Sequence, residues 1–532
     1  MMFTSPLVRA VSALTLTNAA FLKPRQVPAP VNNVTTVTSP SGATIRYKEP
    51  GKNGICETTP GVKSYSGYID IGQDNPSRDP VTLWLNGEPG SDSLIGLFEE
   101  IGPCYVDETL KTQQRAISWS NASNLLFLSQ PVGTGFSYSD TSVGYLDPTY
   151  LSVSPAQSGQ AVGRYSIIDP TKLDTSKLCA IAAWKLLQGF YGALPQFSKE
   201  VTSTDFSLWT ESFGGHWGPA FASYFYEQNE KLPANTDGRR LNFKSFGIVN
   251  GIIDEQIQTK HLLEFTQSNT YGVQLINDTI YDHGKFSMYR PGGCQQAQDN
   301  CAYLTKDSLV KRSGCAAAQY ICQNDVEDLY YTFGGNRGVY DIRTCNGKDV
   351  PPSQWRDFLN KAEVQNAIGT DLNYTSSNLI YTAFSLSGDF AVGYINDLEE
   401  LLGYDIQVAL VYGDADYICN WQGGEDISKS ANWTGHDAFN AAGYTKLLVD
   451  GKEYGETRQF GKFSFTRVWE AGHEVPYFQP EAAFAIFNRT LHGLDAATGK
   501  VSTTGNSTYS TTGTPNTVHK RQLSPLDCPS TT

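Results

Sequence analysis

The chain is short of charge, of histidine and of closely paired cysteines, and each shortage excludes a class of function. Only 18% of its 532 residues are charged while 12% are aromatic, so it builds a folded core and is not a largely disordered protein. Basic residues are outnumbered, 40 Lys and Arg against 54 Asp and Glu, and the formal charge of −14 argues against a nucleic-acid partner. No two cysteines have the two-residue spacing of a zinc site, and no metal is expected. Past the N-terminus, no stretch approaches the 18 or so uninterrupted apolar residues of a membrane span. The C-terminal end lacks the apolar tail of a lipid-anchor signal, so no membrane anchor is expected.

What is present points to an oxidising, secretory compartment. There are ten cysteines, and Asn-X-Ser/Thr sequons at Asn33, Asn121, Asn277, Asn373, Asn432, Asn488 and Asn506. Residues 1–21 read as a signal peptide, with Arg9 ahead of a modest apolar stretch ending in small residues. A pI near 5.0 suits acidic surroundings, so the expected location is extracellular or vacuolar.

The rest of the chain is organised around Leu208-Trp-Thr-Glu-Ser-Phe-Gly-Gly-His-Trp-Gly-Pro219, which follows an apolar run and precedes an amphipathic one. That pattern predicts strand, sharp turn and helix. A serine on such a turn projects its hydroxyl away from the sheet, toward the peptide N–H groups that open the helix. Ser212 is therefore the candidate nucleophile, although Thr210 breaks the usual Gly-X-Ser-X-Gly pattern. Further buried strands are expected at Val81–Leu85, Leu125–Leu128, Phe246–Asn250, Gln407–Tyr412 and Phe463–Glu470, with a helix at Leu178–Phe190.

Two of these strands end in chemistry. Gln407–Tyr412 leads into Gly413-Asp-Ala-Asp416, and Phe463–Glu470 is closed by Ala471-Gly-His473. Ser212, an aspartate after residue 412 and His473 thus follow the chain order of an α/β hydrolase triad. Spacing alone leaves Asp414 and Asp416 both open. The loop after the first buried strand, Asn86-Gly-Glu-Pro-Gly90, offers Gly87 and Glu88 as a second source of oxyanion donors.

Residues 51–254 and 396–495 read as two parts of one α/β core, with 22–50 as a leader or arm. Residues 255–395 read as a helical insertion, or lid, and 496–532 as a mobile Thr, Ser and Gly-rich tail. Within the insertion the nested spacing of Cys294, Cys301, Cys315 and Cys322 favours Cys294 with Cys322 and Cys301 with Cys315, stapling a helical hairpin. Cys56 with Cys345 is a further expected pair.

These motifs, with Val339-Tyr-Asp-Ile-Arg343 and Trp84-Leu-Asn-Gly87, resemble those of the fungal secreted serine carboxypeptidases over nearly all of residues 52–495. The resemblance implies an α/β hydrolase fold, a mixed and mostly parallel sheet, no cofactor, and peptide or protein C-termini as substrates. It selects Ser212, Asp416 and His473 as the triad, and the N–H groups of Glu88 and Phe213 as the oxyanion hole. It carries recognition of the substrate's terminal carboxylate to Asn86, Gly87, Glu100 and Glu211. Phe213, Ile418 and an unpaired, buried Cys419 would line the pocket for the penultimate side chain. Glu474 would face the departing residue and favour a basic one. An acyltransferase using the same acyl-enzyme is an alternative.

Three departures stand out. The family's second loop glycine is Glu88, whose charge would oppose an oxyanion. The polar turn between Ile71 and Arg78 replaces an aromatic-rich central strand. Asp92 occupies a loop position that relatives fill with a small residue. Together they raise a catalytically impaired protein as a second alternative.

Overall fold

The computed structural model describes residues 27–529 apart from 40–43, 52–54, 57–63, 70–80, 148–151, 198–204, 233–239, 305–307, 524–525 and 527. The expected signal peptide and the turn between Ile71 and Arg78 lie outside the described residues.

Among the described residues, eight strands form the central sheet: β1 (Val81–Leu85), β2 (Asn124–Phe127), β3 (Asp205–Glu211), β4 (Asn242–Val249), β5 (Gln407–Gly413), β6 (Thr445–Val449), β7 (Lys452–Phe460) and β8 (Phe463–Val468). Their order is β6-β7-β8-β5-β4-β3-β1-β2. The six strands from β8 to β2 pair in parallel, whereas β7 is antiparallel to both of its neighbours. Every residue of β1, β5 and β8 is buried, as expected of parallel strands covered on both faces. This is the mixed, mostly parallel sheet anticipated from the sequence. Among the described residues it ends at β2, and the strand Ser66–Ile69 pairs with Thr44–Lys48 in a separate small sheet.

Alternation along β3 divides the core. Phe206 and Leu208 face one cluster, shared with α1 (Ser176–Phe197) and α2 (Gly214–Lys231). Trp209 and Trp84 face the other, packed with Trp119 and with Phe487 of the helix Pro480–Leu491. The sheet is thereby clamped from both sides and its C-terminal edge is held rigid.

Between Glu255 and Leu402 the described chain contains helices and no strand. Here α3 (Glu255–Gln267), α4 (Cys294–Tyr303) and α5 (Leu309–Cys322) are the elements nearest the site. Cys294 joins Cys322 and Cys301 joins Cys315, the two pairings expected.

The expected Cys56–Cys345 pair is not formed. Cys56 bonds Cys104, with which it shares a buried cluster, and Cys345 bonds Cys528. That second bridge belongs to a tail that is docked where its composition suggested mobility. Gly461 and Thr511 donate backbone hydrogen bonds that tie the tail to β7, Arg467 reaches the carbonyl of His519, and Arg521 pairs with Glu470. The tail's polar side chains and backbone satisfy buried groups of the β7–β8 edge, which composition could not reveal. Replacing Cys345 and Cys528 by alanine is expected to lower stability by about 2 kcal/mol or more, by loss of a long loop closure, read as a fall in calorimetric Tm.

Six of the seven sequon asparagines are exposed or partly exposed. Asn373 is the exception: it is 1% exposed, accepts from the Arg164 N–H and donates to Asn360. The folded chain has no room for a glycan there, so that expectation is withdrawn.

Candidate active site

β3 delivers Ser212 to the C-terminal edge of the sheet, and α2 starts two residues later. Ser212 has φ +62°, a conformation that costs a non-glycine residue about 1–2 kcal/mol. Bonds on both sides hold it: its N–H donates to the Val249 carbonyl and its own carbonyl accepts from Ile252. A side chain at Gly215 would meet the Ile252 backbone at 2.2 Å, so glycine is required for the helix to start this close to the neighbouring loop. Thr210, which breaks the glycine pattern, is fully buried and donates to the Gly214 carbonyl, so the substitution is absorbed inside the turn.

β5 and β8 bring the other two residues to the same edge. His473 Nδ1 donates to Asp416 Oδ2 at 2.8 Å, and Asn250, at the end of β4, donates to the same oxygen at 2.6 Å. Asp414 lies apart, accepting from Tyr271 and from the Glu470 N–H, and so holds the turn after β8. Asp416, Cys419 and His473 place a carboxylate oxygen, a thiol and a ring nitrogen within 4.8 Å of one another. The Ser212 hydroxyl interacts with the Cys419 thiol and, among the described residues, makes no hydrogen bond to His473. Burial pushes that thiol well above its usual range, so Cys419 is neutral. It is unpaired, as expected.

Gly87 brings the loop after β1 against the nucleophile. A Cβ there would stand 2.3 Å from the Phe213 nitrogen and 2.6 Å from Ser212 Cβ. Among the described residues, no acceptor takes the N–H of Phe213 or of Glu88. Glu88 has φ +39°, a region glycine enters freely and glutamate does not. Burial raises its carboxyl above the ordinary range, against the opposing pull of Arg356 and His473.

A cluster of acids lies behind this loop. Asn86 donates to Glu100 at 3.0 Å and to Glu211 at 2.7 Å, while its oxygen accepts from Trp84 and from the Gly96 N–H, which fixes the amide's orientation. Glu100 Oε2 and Glu211 Oε1 are buried without a donor. A proton shared between the two carboxyls satisfies both. Burial, then the charges of Glu100 and Glu474, drives Glu211 well above the ordinary range, and burial likewise raises Glu100 and Glu474. Glu99, bonded to the Trp355 indole, is raised to about 7, mainly by burial. Because its folded value exceeds the unfolded one, the stability Glu99 holds in acid is lost as pH rises through about 7.

Ser212, Phe213, Glu88 and Ile418 line a cavity of about 120 Å³. Cys419 and Glu474 do not line it: Cys419 is drawn toward Asp416, and Glu474 is buried beside Glu99 and Glu100. Asp92 is also buried, in the loop after β1, where it accepts from the Leu94 N–H; burial raises it to about 6. Sequence reasoning missed Asn250 as a partner of Asp416, the carbonyl of Tyr340 that accepts the His473 N–H, and the two glutamates Glu255 and Glu327 on the cavity wall. Only Tyr340 carried a signal, through the motif that contains it.

A serine at a strand-to-helix turn, facing a histidine–aspartate pair across the C-terminal edge of a mostly parallel sheet, defines the α/β hydrolase class. A sequence model of the family described as serine carboxypeptidase matches residues 54–493, and the chain belongs to that family. By family it is a serine-type peptide hydrolase. It is similar to carboxypeptidase S1 homolog A of Arthroderma otae, 36% identical over 92% of this chain and 83% of that protein. Carboxypeptidase S1 of Penicillium janthinellum is 33% identical over 82% of this chain and 97% of its own length. Among solved structures, the prohormone-processing carboxypeptidase Kex1(delta)p of Saccharomyces cerevisiae matches with a TM-score of 0.60 at 20% identity, covering 83% of this chain and 90% of that one, a likeness of fold. Among the described residues no helix is long and apolar enough to cross a membrane.

Proposed function

We propose that this protein releases the C-terminal amino acid from peptides through an acyl-enzyme, with Ser212 as nucleophile, His473 as proton carrier and Asp416 as the group that orients His473. The observation that carries the reading is the pair of unclaimed N–H groups, on Phe213 and Glu88, at the loop packed against Ser212. Ser212 attacks the scissile carbonyl as His473 takes its proton. The oxyanion is held by those two donors, and His473 returns the proton to the leaving amine. Water then hydrolyses the ester by the same route in reverse. The Ser212–His473 hydrogen bond closes when substrate displaces the hydroxyl from Cys419, as such bonds often tighten on binding. Four disulfides and six accessible sequons support a secreted or vacuolar location.

Asn86, Gly87, Glu100 and Glu211 are assigned to the substrate's terminal carboxylate. A protonated Glu211 donates to that carboxylate; once the pair ionises it repels it. The raised values place this loss above the ordinary carboxyl range. For N-blocked dipeptides, kcat/KM is therefore expected to favour a free over an amidated C-terminus by about tenfold or more, and to decline as pH rises above the ordinary carboxyl range. In Glu211→Gln, whose amide donates at any pH, the decline is expected to flatten. Equal cleavage of free and amidated peptides would overturn the carboxypeptidase assignment.

One observation favours a second reading, an impaired enzyme: Glu88 in the left-handed region, with its carboxyl on the wall of the Ser212 cavity.

A further inference from the structure

The cavity at Ser212 holds more carboxyl groups than peptide hydrolysis uses. Three glutamates line it, Glu88, Glu255 and Glu327, and none of its lining residues is a lysine, arginine or histidine. Glu255 opens α3, and Glu327 ends the π-turn Gln323–Glu327 that continues α5, so both are presented by the helical insertion. The two are close enough for the charge of Glu327 to raise Glu255, and no cation acts on either. Glu327 accepts a hydrogen bond from the Tyr331 hydroxyl. A third group on the same wall has no partner. Gln319 of α5 is 6% exposed, and its Oε1 has no hydrogen-bond partner. Partly desolvated carboxyls and a buried acceptor without a donor are costly unless a ligand supplies hydrogens and positive charge.

The remaining wall includes Phe213, Leu262, Tyr340 and Ile418. An apolar passage that ends in acceptors suits a long aliphatic stem with a cationic head, the form of lysine and arginine. Which substrate residue enters follows from what is absent from the lining. Asn86, Glu100, Glu211 and Glu474 do not line this cavity. The departing C-terminal residue is assigned to the first three of these, so the cavity serves the other side of the scissile bond.

We propose that Glu255, Glu327 and Gln319 form a subsite for a lysine or arginine side chain at the penultimate position, making this protein selective for peptides in which a basic residue precedes the C-terminal one. The proposal rests on the peptidase reading and adds its substrate class.

The test compares N-blocked Lys-Leu with N-blocked norleucine-Leu, which differ in the cationic head and share the stem. The parent is expected to favour lysine by about tenfold or more in kcat/KM. Glu255→Gln and Glu327→Gln, made separately so that one misfolded variant leaves the other readable, are each expected to lower that ratio by about fivefold. A general loss of structure would lower both substrates together and leave the ratio alone. A parent ratio near one, or a ratio unchanged in both variants, overturns the subsite. Binding of N-blocked Lys-Leu and N-blocked norleucine-Leu to Ser212→Ala, measured by calorimetry, separates this from the peptidase reading. If the parent releases nothing from either peptide yet the lysine peptide binds about tenfold tighter, hydrolysis fails and the subsite stands. If nothing is released and the two bind equally, both fail.

Discussion

Replacing Ser212 by alanine is expected to lower kcat on N-blocked dipeptides by about 10⁶-fold, down to the residual that oxyanion donors and binding supply by themselves. The geometry makes this a clean experiment. Ser212 is held at φ +62° by main-chain bonds, and alanine meets the same backbone strain as serine. Its hydroxyl contacts the Cys419 thiol and is not part of a structural network, so Tm should stay within about 1 °C. Loss of rate without loss of stability isolates the chemical step. A fluorophosphonate probe should label the parent at Ser212 and leave Ser212→Ala unlabelled. Undiminished turnover in the alanine variant would require a different nucleophile, and the Cys419 thiol, which contacts the Ser212 hydroxyl, is held neutral by burial.

The second large effect runs the other way. On the impaired reading, Glu88→Gly is expected to raise kcat/KM by about 10²–10³-fold, the range associated with gaining or losing one oxyanion donor. Two contributions are mixed at this position. The backbone of Glu88 sits at φ +39°, where glutamate is strained, so the N–H is held at the expense of local stability. The carboxyl lines the same cavity as Ser212, and when ionised it opposes negative charge on the tetrahedral intermediate. Glu88→Gln separates the two, because it removes the charge and keeps the backbone problem. If Glu88→Gln recovers most of the gain, charge is the fault; if only glycine does, the dihedral is. An active parent that glycine fails to improve would show that glutamate presents its N–H adequately and would dismiss the impaired reading.

The order of chemical groups along the chain was legible because each depends on a few neighbouring residues. A buried apolar run followed by Glu-Ser-Phe-Gly-Gly can hardly be anything but strand, turn and helix. The strands that carry Asp416 and His473 announce themselves by continuous burial. The cysteines of the helical hairpin pair over short separations, 28 and 14 residues, so nested spacing sufficed. Where partners are far apart the same reasoning had no purchase. Cys528 lies 183 residues from Cys345, and its partner became identifiable only once the tail was seen docked on β7 and β8.

Asp414 and Asp416 show the limit inside the site itself. They stand two residues apart on one loop, and nothing in their spacing says which carboxylate meets His473. The fold answers by placing Asn250 and His473 on one oxygen of Asp416 while Tyr271 and the Glu470 N–H take Asp414. The sequence by itself determined the six parallel strands of the sheet, the nucleophile's turn and the family, since local burial patterns and contiguous motifs suffice for these. Only the tertiary structure decided which acids share buried space: Glu99, Glu100, Glu211 and Glu474 behind the loop, and Glu255 and Glu327 on the cavity wall. The physical reason is that a carboxyl's charge state depends on neighbours in space and on exclusion of water, and both arise when distant segments pack together.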